Sequence, residues 1–145
     1  MIVRYALAAA LAVAAATPAV AFQDAWESQV NELLDRAGQV LEGRFTPTGY
    51  QKSGSLDEDG DERTTVRIAG RGEYAIIGVC DGDCSDLDLE VYDASGDSLD
   101  SDYLEDDFPV LKFSAGSATS VSVQASMASC SAEPCRYGFR LYRQN

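Results

Sequence analysis

Oxygen and sulfur side chains crowd one stretch of this chain, Cys80-Asp-Gly-Asp-Cys84-Ser-Asp-Leu-Asp-Leu-Glu-Val-Tyr-Asp93. Asp81 and Asp83 sit in a turn bracketed by two cysteines, and Asp86, Asp88 and Glu90 then alternate with Leu87, Leu89 and Val91. Period-two alternation puts the acids on one face of a strand, at steps of about 6.6 Å, and the apolar residues on the other. Thirteen of the 24 acidic residues fall between Gly72 and Leu111, a segment without lysine or arginine. A field that negative makes close carboxylates costly unless a cation joins them. Calcium is the cation that takes oxygen-rich sets of roughly six to eight ligands. The expected ligands are Asp81, Asp83, Asp86, Asp88, Asp106 and Asp107, the last two from a loop with Asp102 and Glu105 that folds over the strand. The competing reading is a solvated strand face with aspartates that serve their own turns by accepting bonds from nearby amides.

Other chemistries are narrowed by composition. The chain has no histidine, which removes the Ser-His-Asp triad, His-based acid–base catalysis and the commonest metal ligand. No glycine-rich phosphate loop is present. A glycosidase using two aspartates is the remaining enzymatic alternative, and it requires carboxylates placed across a cleft with one pKa raised. The formal charge is −13, so nucleic acid is a poor partner and an anionic membrane surface is disfavoured for lack of a basic surface. A protein or polysaccharide partner is expected instead.

The elements that position these residues follow from periodicity. Trp26, Val30, Leu33, Leu34, Ala37, Val40 and Leu41 recur at helical spacing, predicting an amphipathic helix over Asp24–Glu42 within a segment 22–43. Asp24 is placed to cap it and Gly43 to end it. Packing on the domain is favoured over docking to another protein. From Phe45 the period changes to two, with strands expected near 49–56, 63–69, 73–80, 86–92, 98–103, 110–114, 120–127 and 137–142. Seven or eight short strands over residues 44–145 argue for a mainly β, antiparallel, jelly-roll-like sandwich. Tyr137, Phe139 and Leu141 alternate as a core face, while Tyr92, Tyr103 and Tyr142 are expected at outward or loop positions. Leu56-Asp-Glu-Asp-Gly-Asp-Glu62 fails as an EF-hand loop, because its glycine comes early and its last glutamate is missing. It reads as a hairpin around Asp59-Gly60.

Residues 1–21 read as a signal peptide: Arg4, an alanine-rich apolar run, Thr17-Pro18, and small residues Ala19 and Ala21 before a cut at Phe22. The run is shorter than the ~20 residues of a membrane span. Removing it takes 145 residues to 124 and, with Arg4 gone, the charge to −14. A periplasmic or secreted location follows, and four cysteines there read as two disulfides. Cys80–Cys84 and Cys130–Cys135 are preferred because each pair straddles a short turn. The cross-pairings and a loosely spaced zinc site are the alternatives.

At Asp86-Leu-Asp-Leu-Glu-Val-Tyr-Asp93 with Gly96 following, the chain resembles the bacterial pre-peptidase C-terminal domain. The resemblance runs on through Val110-Leu-Lys-Phe113, Ser120-Val-Ser-Val-Gln124 and Tyr137-Gly-Phe-Arg-Leu141. It implies a small secreted jelly roll with an accessory role, some relatives binding extracellular polymers or calcium. The expected function is therefore a non-catalytic extracytoplasmic accessory or binding module with an acidic face, here as a stand-alone relative. A calcium-dependent module for an extracellular protein or glycan is the alternative.

Overall fold

A computed structural model describes residues 20–145, with side chains from Ala25 onward. A helix α1 (Val20–Gly38) and a 3-10 turn (Gln39–Leu41) precede eight strands. These are β1 (Phe45–Leu56), β2 (Asp61–Arg67), β3 (Glu73–Cys80), β4 (Cys84–Tyr92), β5 (Ser98–Asp102), β6 (Val110–Ser114), β7 (Ser120–Cys130) and β8 (Cys135–Gln144). Two four-stranded sheets form, ordered β1-β8-β3-β6 (sheet A) and β2-β7-β4-β5 (sheet B), and every pairing is antiparallel. The nested pairs β1 with β8, β2 with β7, β3 with β6 and β4 with β5 are those of a jelly roll, as if one long hairpin were wrapped into two layers.

The expected alternation holds along β4 and β7. Leu87, Leu89, Val91, Val121, Val123, Ala125 and Met127 face inward and meet Tyr74, Ile76, Leu111, Phe113, Tyr137, Phe139 and Leu141 of sheet A. Burying each such side chain contributes roughly 1.5–3 kcal/mol by removing its apolar surface from water, the main force holding the two layers together. Both lateral edges of the sandwich are closed by carboxylates. At one, Glu62 on β2 accepts Lys52 Nζ at 2.9 Å and Tyr137 Oη at 2.6 Å from sheet A. At the other, Asp102 and Asp100 on β5 accept the backbone N–H groups of Val110 and Lys112 at 2.9 and 2.7 Å. These bonds occupy amides of the edge strand β6 that no strand pairs on that side.

A second, smaller core lies outside sheet A. Val30, Leu34, Ala37 and Leu41 press on Ala75, Ile77, Val79 and Tyr142, so the helix covers the outer face of β3 and β8. Contact is close because β8 has glycine at 138: a Cβ there would collide with Val30 Cγ1. Gly43, at φ +79°, turns the chain from the helix into β1 as expected.

Three expectations are corrected. The helix starts at Val20, so Asp24 lies inside it and is not its cap. Tyr142, expected to point outward, is only 2 % exposed, because the face of β8 that alternation turns away from the sandwich is the face under α1. Leu56–Glu62 is not a hairpin, since β1 pairs in sheet A and β2 in sheet B. Its Asp59-Gly60 turn is real, with Asp59 at φ +61° and Gly60 N–H bonded to Asp57 O, but it carries the chain between layers. The expected signal peptide lies outside the described residues except for its last two, which open α1.

Candidate functional site

The two disulfides are Cys80–Cys84 and Cys130–Cys135, each with Cα atoms 5.9 Å apart. Both join neighbours in sequence yet cross between layers, from β3 to β4 and from β7 to β8. Cys84 and Cys130 face each other in the β4–β7 ladder, so the two bridges stand side by side at one end of the sandwich. The Asp81–Asp83 turn is tied into that end. Asp81 Oδ2 accepts Arg136 N–H at 2.9 Å, Asp81 N–H bonds Arg136 O, and Ser131 N–H bonds Asp83 O.

The six expected calcium ligands are divided among three places. Asp81 and Asp83 belong to the disulfide end, and Asp107 lines a cavity of about 350 Å³ beside α1 with Leu33, Arg36, Val40 and Phe108. Asp86, Asp88 and Asp106 are the part that comes together. The loop after β5 does fold against β4, where Leu87 N–H bonds Asp106 O at 2.9 Å. Asp106 uses one carboxylate oxygen on its own loop, accepting Phe108 N–H at 2.9 Å. Among the described residues no group of three or more carboxylates, cysteines or histidines has the geometry of a metal site.

What the β4 acids have instead is an imbalance of partners. Asp86 Oδ1 and Asp88 Oδ1 are out of contact with water and bond to nothing. Loss of hydration, then the neighbouring Asp86, Asp102 and Asp106, pushes the Asp88 carboxyl up to about 6. Loss of hydration, with Glu105 and Asp106 nearby, raises Asp86 as well. Both shifts run toward the neutral form because no positive charge offsets desolvation.

Two residues further along β4 the same face has partners. Glu90 Oε2 accepts Tyr92 Oη at 2.6 Å and also the hydroxyl of Tyr103, a short contact across from the loop after β5. The bond it donates to Glu90 pushes the Tyr103 phenol up to about 12. Arg63 on β2 reaches across β7, with its guanidinium 4.0 Å from the centre of the Tyr92 ring and bonds to Gln124 Oε1 at 2.7 and 3.2 Å. The register places Arg63, Gln124, Glu90 and Ser101 in one cross-strand row. Sheet B therefore presents a braced polar and aromatic array on its outer face, with Tyr103 exposed on it and Leu104, also exposed, next along the loop.

Sequence reasoning named Tyr92 and Tyr103 only as surface tyrosines. The signal for Tyr92 was local, since Glu90 and Tyr92 are two apart on one strand. Tyr103 joins them only through the β4–β5 register. In the cavity that holds two carboxylates, Asp35 and Glu42, the space of about 250 Å³ is shared with Arg140. Arg140 Nη1 pairs with Asp35 Oδ1 at 2.7 Å. No described helix is long and apolar enough to cross a membrane. Compared with known proteins, the chain matches no protein-family model and no curated protein.

Proposed function

We propose that this protein is a non-catalytic extracytoplasmic binding module whose contact surface for another macromolecule is the outer face of sheet B. The observation that carries this reading is the inequality of the two outer faces. The β3 and β8 strands of sheet A are covered by α1, whereas among the described residues no helix or strand covers sheet B, which bears the Glu90–Tyr92–Tyr103–Arg63 array. Side chains already held in place lose little freedom when a partner arrives, which lowers the cost of binding. The paired disulfides and the net charge suit an exported location. An accessory role is what the resemblance of Asp86–Asp93 to pre-peptidase C-terminal domains implies.

The glycosidase alternative has less behind it: Asp86, Asp88 and Glu90 stand in one row on an open face and do not oppose each other across a cleft. The calcium-dependent version loses support from Asp81 and Asp106, whose carboxylates already serve backbone amides. Retention on immobilised extracellular polymers and on the secreted protein fraction tests the proposal. Tyr103→Ala and Arg63→Ala should abolish retention of a ligand that Leu33→Ala leaves bound. Retention that depends on Leu33 and ignores both sheet B variants would move the binding surface to α1.

A further inference from the structure

The open face of sheet B is uneven in charge, and that unevenness narrows the partner. Its one described cation near the array, Arg63, is engaged with Tyr92 and Gln124. The described ion pairs, Lys52–Glu62 and Arg140–Asp35, lie elsewhere. Asp86, Asp88, Glu105 and Asp106 therefore crowd together without a counter-charge, in a segment that has no lysine or arginine from Gly72 to Leu111. Beside them Tyr103 and Leu104 are 59 % and 68 % exposed. The Tyr103 hydroxyl is held by Glu90, so its ring is presented in a set direction.

Resting on the reading that this face is the binding surface, we propose that it docks a basic polypeptide segment. Lysine or arginine side chains of that partner reach Asp86 and Asp88 while its aliphatic parts cover Tyr103 and Leu104. Asp86 and Asp88 are half-buried, and an ammonium or guanidinium group reaches the part of each carboxylate that faces solvent with a charge-assisted bond and packs against the tyrosine ring. A neutral glycan offers hydroxyl donors but leaves the like charges facing one another. The raised Asp88 carboxyl agrees with a site that lacks its cation.

The test is calorimetric titration of the purified protein, expressed from the full chain, with an acetylated and amidated decalysine. Tyr103→Ala/Leu104→Ala and, separately, Asp86→Asn/Asp88→Asn should each weaken binding at least about tenfold. Glu27→Gln/Glu32→Gln, which removes two exposed charges from α1, should change it less than about twofold. Tyr103→Phe, which retains the ring, should bind within about threefold of the parent. An equal loss in the α1 variant, or none in Tyr103→Ala/Leu104→Ala, would reduce the effect to general attraction to a polyanion and overturn the proposal. If decalysine does not bind while a neutral polysaccharide is retained through Tyr103 and Arg63, the basic partner is wrong and the binding face stands. If neither ligand engages this face, both readings fall.

Discussion

The outer faces of the two sheets began as equivalent surfaces of one sandwich and have opposite fates. On sheet A, β8 carries Gly138 and Tyr142 outward, and α1 settles on them with Val30, Leu34, Ala37 and Leu41. On sheet B, β4 carries Asp86, Asp88, Glu90 and Tyr92 outward, and among the described residues no helix or strand covers them, only the loop after β5 folding against the Asp86 end. The first face is satisfied by apolar burial inside the chain. The second keeps two buried carboxylate oxygens without partners beside a Glu90 that accepts two tyrosine hydroxyls. An unsatisfied buried polar atom costs roughly 1–3 kcal/mol, so the difference marks where stability and function part.

Substitutions that act on the two faces should separate accordingly. The largest effect is expected on the covered face: Leu34→Ala, at a fully buried site, should cost about 2–5 kcal/mol in urea unfolding. A loss under about 1 kcal/mol would mean that α1 contributes little to the fold.

Two carboxylates should then show opposite pH signs. Glu62 is held below the usual carboxylate range by its bond from Tyr137, then by Lys52. Its contribution is complete above the ordinary glutamate value of 4.5 and is lost as pH falls through the lowered pKa. Glu62→Gln should therefore cost ~1 kcal/mol at pH 7, reduced for partial exposure, and nothing at low pH. Asp88 is raised from 3.8 to about 6, so the folded chain binds the extra proton in that window and stability falls as pH rises through it. Asp88→Asn should stabilise by ~1 kcal/mol at pH 7.5, again allowing for partial exposure, with the gain gone below about pH 4. Thermal midpoints of both variants across pH check the signs, and parallel profiles would contradict them. Smallest of all, Tyr103→Ala should move stability by less than about 1 kcal/mol in the same urea assay. A loss as large as that of Leu34→Ala would make the array a structural brace.

Much of this fold was legible in the chain because local patterning and tertiary environment agree. Leu87, Leu89 and Val91 alternate with acids and face the core as alternation requires. Glu73–Cys80 and Val110–Ser114 have the bounds that turn residues on either side indicate. Short cysteine spacing gave the right bridges, although only topology shows that both cross between layers. What escaped depended on distant neighbours. Tyr142 is hidden by a helix about a hundred residues earlier in the chain, and alternation within β8 carries no trace of it. The Leu56–Glu62 turn has hairpin chemistry, yet β1 and β2 find partners in different sheets. Tyr103 meets Glu90 only once β5 is laid against β4.

The central claim, that sheet B's open face is the working surface, is tested most directly by NMR mapping of amide and tyrosine resonances as decalysine is added. The account predicts perturbations at Asp86–Tyr92, Tyr103 and Leu104, with α1 and the outer face of β8 unchanged. Perturbations confined to α1 and its cavity with Leu33, Val40 and Phe108 would contradict it.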